Sequence, residues 1–86
     1  MSYQIQLTRR AEKEVLDLDQ ATFARVKAAI DALVENPRPA GVRKLQGREN
    51  EWRIRVGRFR VLYSIEEVSH RVVVHRVTDR KDVYRG

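Results

Sequence analysis

The stretch EWRIRVGRFRVLYSI, residues 51–65, constrains the fold of this chain more than any other. Every second residue falls on a stripe. Trp52, Ile54 and Val56 form an apolar one, and Arg53 and Arg55 a basic one between them. After Gly57-Arg58 the alternation resumes, with Phe59, Val61, Tyr63 and Ile65 set against Arg60, Leu62 and Ser64. Alternate side chains on a strand point to opposite faces of a sheet, so a period of two means two half-buried strands. A glycine-containing pair between them marks a two-residue hairpin turn. That turn sets the register: Val56 opposite Phe59, Arg55 opposite Arg60, Arg53 opposite Leu62. One face of the hairpin is then apolar and lies under the helices, and the other, open to solvent, carries Arg53, Arg55 and Arg60. Like charges set opposite each other cost about 0.2–1 kcal/mol per pair. A merely solvated face would mix its signs, so the arrangement points to a site for an anion.

The rest of the chain supplies a cover for the apolar face. YQIQL alternates Tyr3, Ile5 and Leu7 against two glutamines and reads as a first strand. Thr8 can cap a helix over residues 9–18, with Ala11, Val15 and Leu18 in its apolar stripe. Asp19 can cap a second helix, whose stripe is Phe23, Val26, Ile30, Leu33 and Val34 and which Asn36-Pro37 ends. Almost no loop separates the two, which predicts an antiparallel helical hairpin. Residues 37–50, with two prolines and two glycines, read as a connection from which Val42 and Leu45 dip into the core. HRVVVHRV, residues 70–77, is the last strand; there His75 shares a face with Val73 and Val77, and His70 falls in a turn. The order is β-α-α-β-β-β. The fold class is α+β, an antiparallel sheet with the helical hairpin on one face, in a single domain over residues 1–86.

Charge is distributed unevenly. Residues 1–36 hold five Lys/Arg against six Asp/Glu, and residues 37–86 hold thirteen against six. A basic half beside a nearly neutral half favours a polyanionic partner, nucleic acid before an acidic protein. A membrane is not expected, since there is no long apolar run and no basic amphipathic helix. With no cysteine, disulfides and thiolate metal sites are excluded, and neither a metal nor another cofactor is expected. No secretory signal is visible, so the expected location is cytoplasmic.

Lys44-Leu45-x-Gly47, the run Trp52 to Arg55, the strand start Arg60-Val61-Leu62-Tyr63, and Arg80-x-x-Val83-Tyr84 occur in this order. Together with the β-α-α-β-β-β order, they resemble the RelE/ParE superfamily of toxins from bacterial and archaeal toxin–antitoxin pairs, and within it the RelE branch. The resemblance implies an mRNA interferase that acts in the ribosomal A site and inhibits translation. It would be a metal-independent endoribonuclease in which the ribose 2′-OH attacks the scissile phosphate, leaving a 2′,3′-cyclic phosphate and a 5′-OH. Carried over by position, the residues around that phosphate are Arg53, Arg55, Arg60, Arg80 and Tyr84. Lys44, Arg48, Arg58 and Arg76 are further candidates for gripping RNA.

Guanidinium groups suit the neutralisation of phosphate oxygens, through paired N–H donors. They do not serve as general bases, because arginine keeps its proton. Some relatives carry lysine at the positions of Arg53 and Arg55, and many carry His-Arg where this chain reads Asp79-Arg80. The resemblance also implies a cognate acidic antitoxin in a hetero-oligomeric complex. Two alternatives stand beside the nuclease: a ParE-like gyrase inhibitor, and a non-catalytic RNA-binding relative.

Overall fold

The computed structural model describes residues 2–47 and 50–79. Its elements are β1 (Gln4–Leu7), α1 (Arg9–Leu16), α2 (Gln20–Ala32), β2 (Arg43–Lys44), β3 (Glu51–Val56), β4 (Phe59–Glu66) and β5 (Arg71–Asp79). The five strands form one sheet in the order β1-β5-β4-β3-β2. The mixed α+β architecture and the sheet with two helices agree with the sequence reading.

Both helix starts are fixed as their sequences dictate. The Thr8 hydroxyl accepts a hydrogen bond from the Ala11 N–H, and the Asp19 carboxylate accepts one from the Thr22 N–H at 2.7 Å. Each satisfies an N–H group that a helix start leaves without an intrahelical partner. Asp19 is held below the usual carboxylate range by that backbone hydrogen bond. Both helices end earlier than their stripes suggest. Asp17 caps α1, and α2 gives way at Leu33. The reason at the second end is tertiary: the Val34 carbonyl accepts the Tyr3 N–H at 2.8 Å, so the chain leaves the helix to meet the start of the sheet.

The core lies between helices and sheet. Ala11 and Val15 from α1, and Val26 and Ile30 from α2 with its cap Leu33, bury against Ile54, Val61, Tyr63, Ile65, Val72, Val74 and Val77. Trp52, Val56 and Phe59 pack at its margin, on the apolar stripe where alternation put them. Val42 also packs against the core.

The hairpin has the register set by its turn, Val56 opposite Phe59 and Arg55 opposite Arg60. Gly57 takes φ +60° and Arg58 stays out of the left-handed region, the pattern of a type II′ turn. The Arg25 guanidinium lies where a Cβ on Gly57 would approach to 3.3 Å, so this glycine answers both to the turn and to a packed neighbour.

Three features differ from the sequence expectation. β2 is an added two-residue strand, paired antiparallel with β3; two residues between glycine- and proline-containing turns carry no readable period. β1 pairs with β5 in parallel, so the sheet is mixed rather than antiparallel throughout. β1 and β5 belong to opposite ends of the chain, and no hairpin joins them to impose the antiparallel sense. Finally, the β4–β5 register shifts between Leu62 and Tyr63, with Leu62 opposite Arg76 and Tyr63 opposite Val74. This bulge inserts an extra residue on β5 and breaks its alternation. Val77 therefore joins the core with Val74, and His75 does not share its face as the sequence reading had it.

Candidate nucleic-acid interface

Because Trp52, Ile54, Val61 and Tyr63 point to the helices, Arg53, Arg55 and Arg60 share the opposite face, which no helix covers among the described residues. Register places Arg55 directly across from Arg60, and Arg53 across from Leu62. On the far side of β4, Arg60 is paired with Thr78. The row across the sheet is therefore Arg55, Arg60, Thr78.

Exposure within this row is graded. Arg55 is exposed, but Arg60 is only 5% exposed and Thr78 6%. Alternation predicts Arg60 open to solvent, whereas the structure buries it. β4 is an interior strand, flanked on both sides by hydrogen-bonded neighbours, and alternation alone does not distinguish an interior strand from an edge. The Thr78 hydroxyl is buried with no hydrogen-bond partner among the described residues. It was not a sequence candidate, and only the β4–β5 register reveals that it stands beside Arg60.

Three basic candidates lie elsewhere. Lys44 is opposite Trp52, with its Nζ 5.8 Å from the Trp52 ring centroid, so it belongs to the helix-covered face; a residue one position from Arg43 on a strand must point the other way. The Arg76 Nε donates to Glu14 of α1, at 3.0 Å to Oε2. The other carboxylate oxygen accepts the Val77 N–H at 2.7 Å. The bulge turns Arg76 to the helix, which alternation could not foresee. Arg58 at the turn pairs with Asp79 at 2.9 Å. Arg58 and Arg76 instead line a groove of about 740 Å³ together with Glu14, Asp19, Arg25 and Asp79, where the α1–α2 connection meets the hairpin tip. Arg48, Arg80 and Tyr84 lie outside the described residues.

Toward the other end of the uncovered face the charges are balanced. Glu66 on β4 is opposite Arg71 on β5 and accepts its Nη2 at 2.7 Å, with a second bond from Nε at 2.9 Å. These hydrogen bonds, with one from Ser69, hold the Glu66 carboxyl below its ordinary range. Nearby, Ser64 Oγ and His75 Nε2 are 3.0 Å apart. His75 is thus a partly buried histidine with a hydroxyl partner. His70 sits at a turn with φ +51°, its ring edge-on to Tyr3. The face therefore carries the Glu66–Arg71 pair toward one end and Arg55 and Arg60 toward the other. Guanidinium groups at that second end can hold a tetrahedral anion through paired charge-assisted hydrogen bonds.

Residues 5–84 match the family model described as ParE toxin of type II toxin–antitoxin system, parDE. A curated relative, the putative toxin RelE1 of Methanocaldococcus jannaschii, is 25% identical over 89 residues, spanning 100% of this chain and 99% of the relative. Among solved structures, the toxin of the archaeal RelE–RelB complex from Pyrococcus horikoshii superposes with a TM-score of 0.83 at 26% identity. The alignment covers 93% of this chain and 97% of that one. The isolated RelE toxin of Escherichia coli gives 0.82 at 25% identity, covering 98% and 93%.

Proposed function

This chain belongs to the ParE toxin family of type II toxin–antitoxin systems, and from that premise we propose that it is a RelE-like endoribonuclease cutting mRNA on the ribosome. The observation that carries the reading is the arginine region of the uncovered face, with Arg55 directly opposite Arg60 and Arg53 beside them. A scissile phosphate seated there gains negative charge as the deprotonated 2′-oxygen attacks in line. Guanidinium donors fixed on strands stabilise that charge without having to reorganise. The 2′-OH gives up its proton as its oxygen bonds to phosphorus, the P–O5′ bond breaks, and the 5′-oxygen takes up a proton and departs as a hydroxyl, leaving a 2′,3′-cyclic phosphate. Arg53, Arg55 and Arg60 supply charge stabilisation only, since arginine does not give up its proton. Arg80 and Tyr84 complete the site in the resemblance, and the Tyr84 hydroxyl is a group there that could carry a proton if neighbouring arginines lower its pKa. The ribosome contributes the alignment of the 2′-OH with the leaving oxygen, a contribution of the kind worth many orders of magnitude in effective concentration.

The partner in this reading is a cognate antitoxin. The P. horikoshii relative is seen in a complex of RelE with RelB, and a basic face favours rapid association with an acidic polypeptide. Such a partner blocks the arginine region or draws its residues out of line.

The test is primer extension on mRNA in a translating extract, with and without ribosomes, beside a gyrase supercoiling assay. Cuts that need ribosomes, are lost in Arg55→Ala and are suppressed by the co-expressed antitoxin support the reading. Intact mRNA with inhibited gyrase replaces it with the ParE-like activity. Efficient cutting of naked RNA would remove the ribosome from the mechanism.

A further inference from the structure

β2 contributes two residues, and their register assigns each a face. Lys44 is opposite Trp52 and lies over its ring, which fixes that side chain on the helix-covered face. Arg43 therefore stands on the uncovered face, directly opposite Arg53. The sheet thus carries two cross-strand arginine pairs, Arg55–Arg60 across β3 and β4, and Arg43–Arg53 across β2 and β3.

Arg53 and Arg55 are two residues apart on one strand, so the pairs lie about 7 Å apart along it, and partners within a pair sit on strands about 5 Å apart. The seats between the partners of each pair are therefore offset about 7 Å along the strands and about 5 Å across them, about 8–9 Å in all, a gap that the long arginine side chains can close to the spacing of consecutive phosphates in an extended single strand. The cross-strand spacing within a pair lets two guanidinium groups hold one phosphate from either side.

We propose that Arg43, directly opposite Arg53 at the margin of the scissile-phosphate site, adds a second phosphate subsite that shares Arg53 with the first, so that this face grips two consecutive phosphates of single-stranded RNA, with Arg43 as the outermost phosphate ligand. The inference rests on the reading that this face takes RNA. It deepens that reading by adding a residue and a direction: the strand runs from Arg60 in the interior of the sheet to Arg43 at its edge.

Two considerations support it. A cation on an edge strand also discourages pairing with other chains, and that accounts for one charge at the edge. It does not account for its position opposite an arginine, because opposite an acid it would protect the edge equally and gain an attraction. Arg43 is also exposed, and forms no ion pair or side-chain hydrogen bond among the described residues. Its guanidinium is thus available to a polymer crossing the edge.

The experiment is an NMR titration of the full-length protein with 2′-O-methyl oligouridylates carrying one or two internucleotide phosphates, which 2′-OH attack cannot cleave. The wild type is expected to bind the two-phosphate probe more tightly than the one-phosphate probe. Arg43→Ala should abolish that difference, leave the one-phosphate affinity unchanged, and lower the salt dependence of the two-phosphate affinity by about 0.7 in the log–log slope. Lys13→Ala, which removes one exposed charge of α1, should change neither. Retention of the two-phosphate gain in Arg43→Ala, its equal loss in Lys13→Ala, or no binding of either probe by the wild type would overturn the proposal. So would a dependence on Arg43 shown by a polyglutamate peptide but not by the RNA probes, which would assign the pair to a protein partner. Cleavage plays no part in the measurement, so failure of the nuclease reading leaves it interpretable.

Discussion

Arg55 and Arg60 face each other directly across β3 and β4, one residue pair from the closing pair of the hairpin. In a two-residue hairpin the pair next to the closing one is not hydrogen-bonded through its backbone, and there side chains approach most closely. The Cβ atoms of two arginines are therefore held at the shortest cross-strand separation a sheet offers. One is exposed and the other is 5% exposed.

Their truncations should differ accordingly. Arg55→Ala removes an exposed charge and relieves repulsion, so the urea midpoint should move by no more than about 0.5 kcal/mol in equivalent stability. Arg60→Ala deletes a buried stem and should cost about 1–3 kcal/mol. Both should lower RNA cleavage if the proposed function holds. Arg60→Lys keeps the charge and most of the stem, and should recover stability more fully than activity, because the forked donors are lost. Equal midpoints for Arg55→Ala and Arg60→Ala would contradict the burial difference.

Glu14 ties α1 to β5 beside the bulge through Arg76 and the Val77 N–H. Glu14→Ala should cost about 1–2 kcal/mol, since it leaves the N–H and the guanidinium without this acceptor. In a double-mutant cycle with Arg76→Ala, a coupling of about 0.5 kcal/mol or more is expected. Strictly additive effects would show that the backbone bond to Val77 carries the whole contribution.

The acid limb of stability follows from Asp19, Glu66 and Glu67. Each is held below its ordinary carboxylate value: Asp19 by its backbone bond from Thr22, Glu66 by Arg71, and Glu67 by the Tyr3 hydroxyl and then Arg38. A carboxyl with a depressed folded value contributes stability that is complete above the unfolded value and is lost as pH falls through the folded one. Stability should therefore decline below about pH 4.5, the ordinary glutamate value. Glu66→Gln should flatten that decline, visible in urea midpoints taken between pH 7 and pH 3. A limb of unchanged steepness would remove Glu66 from its cause.

How much of this could be read from the sequence depended on whether period or register carried the information. The hairpin, both helix caps and the apolar stripe from Trp52 to Ile65 follow from local spacing, and the structure has them. Lys44, Arg76 and Arg60 were misplaced for three different physical reasons. A two-residue strand has no period, a bulge cancels alternation, and interior and edge strands alternate alike. Arg43 and Thr78 enter the face only through pairing with distant residues, Arg53 and Arg60, and no local pattern records that. The pairing of β1 with β5 is likewise a long-range outcome.

Tyr63 connects the core to the segment that seats β2. Its hydroxyl donates to the Pro37 carbonyl at 2.6 Å, and its side chain is fully buried. Burial pushes its pKa up to about 12, against the lowering influence of the Arg38 charge. A phenol with a raised folded value stabilises the fold fully below the unfolded value near 10, and that contribution is lost as pH rises toward about 12. Tyr63→Phe should remove this part of the alkaline limb. It should also cost about 1–2 kcal/mol, because the Pro37 carbonyl loses its donor in a buried setting. The local consequence concerns the arginine face. With that anchor gone, the chain from Pro37 to β2 is held less firmly, and hydrogen exchange at Arg43 and Lys44 should quicken more than exchange in β4 and β5. Uniform acceleration across the sheet would mean that Tyr63 supports the core alone. An alkaline limb unchanged in Tyr63→Phe would transfer its origin to Tyr3, whose hydroxyl is raised by its bond to Glu67.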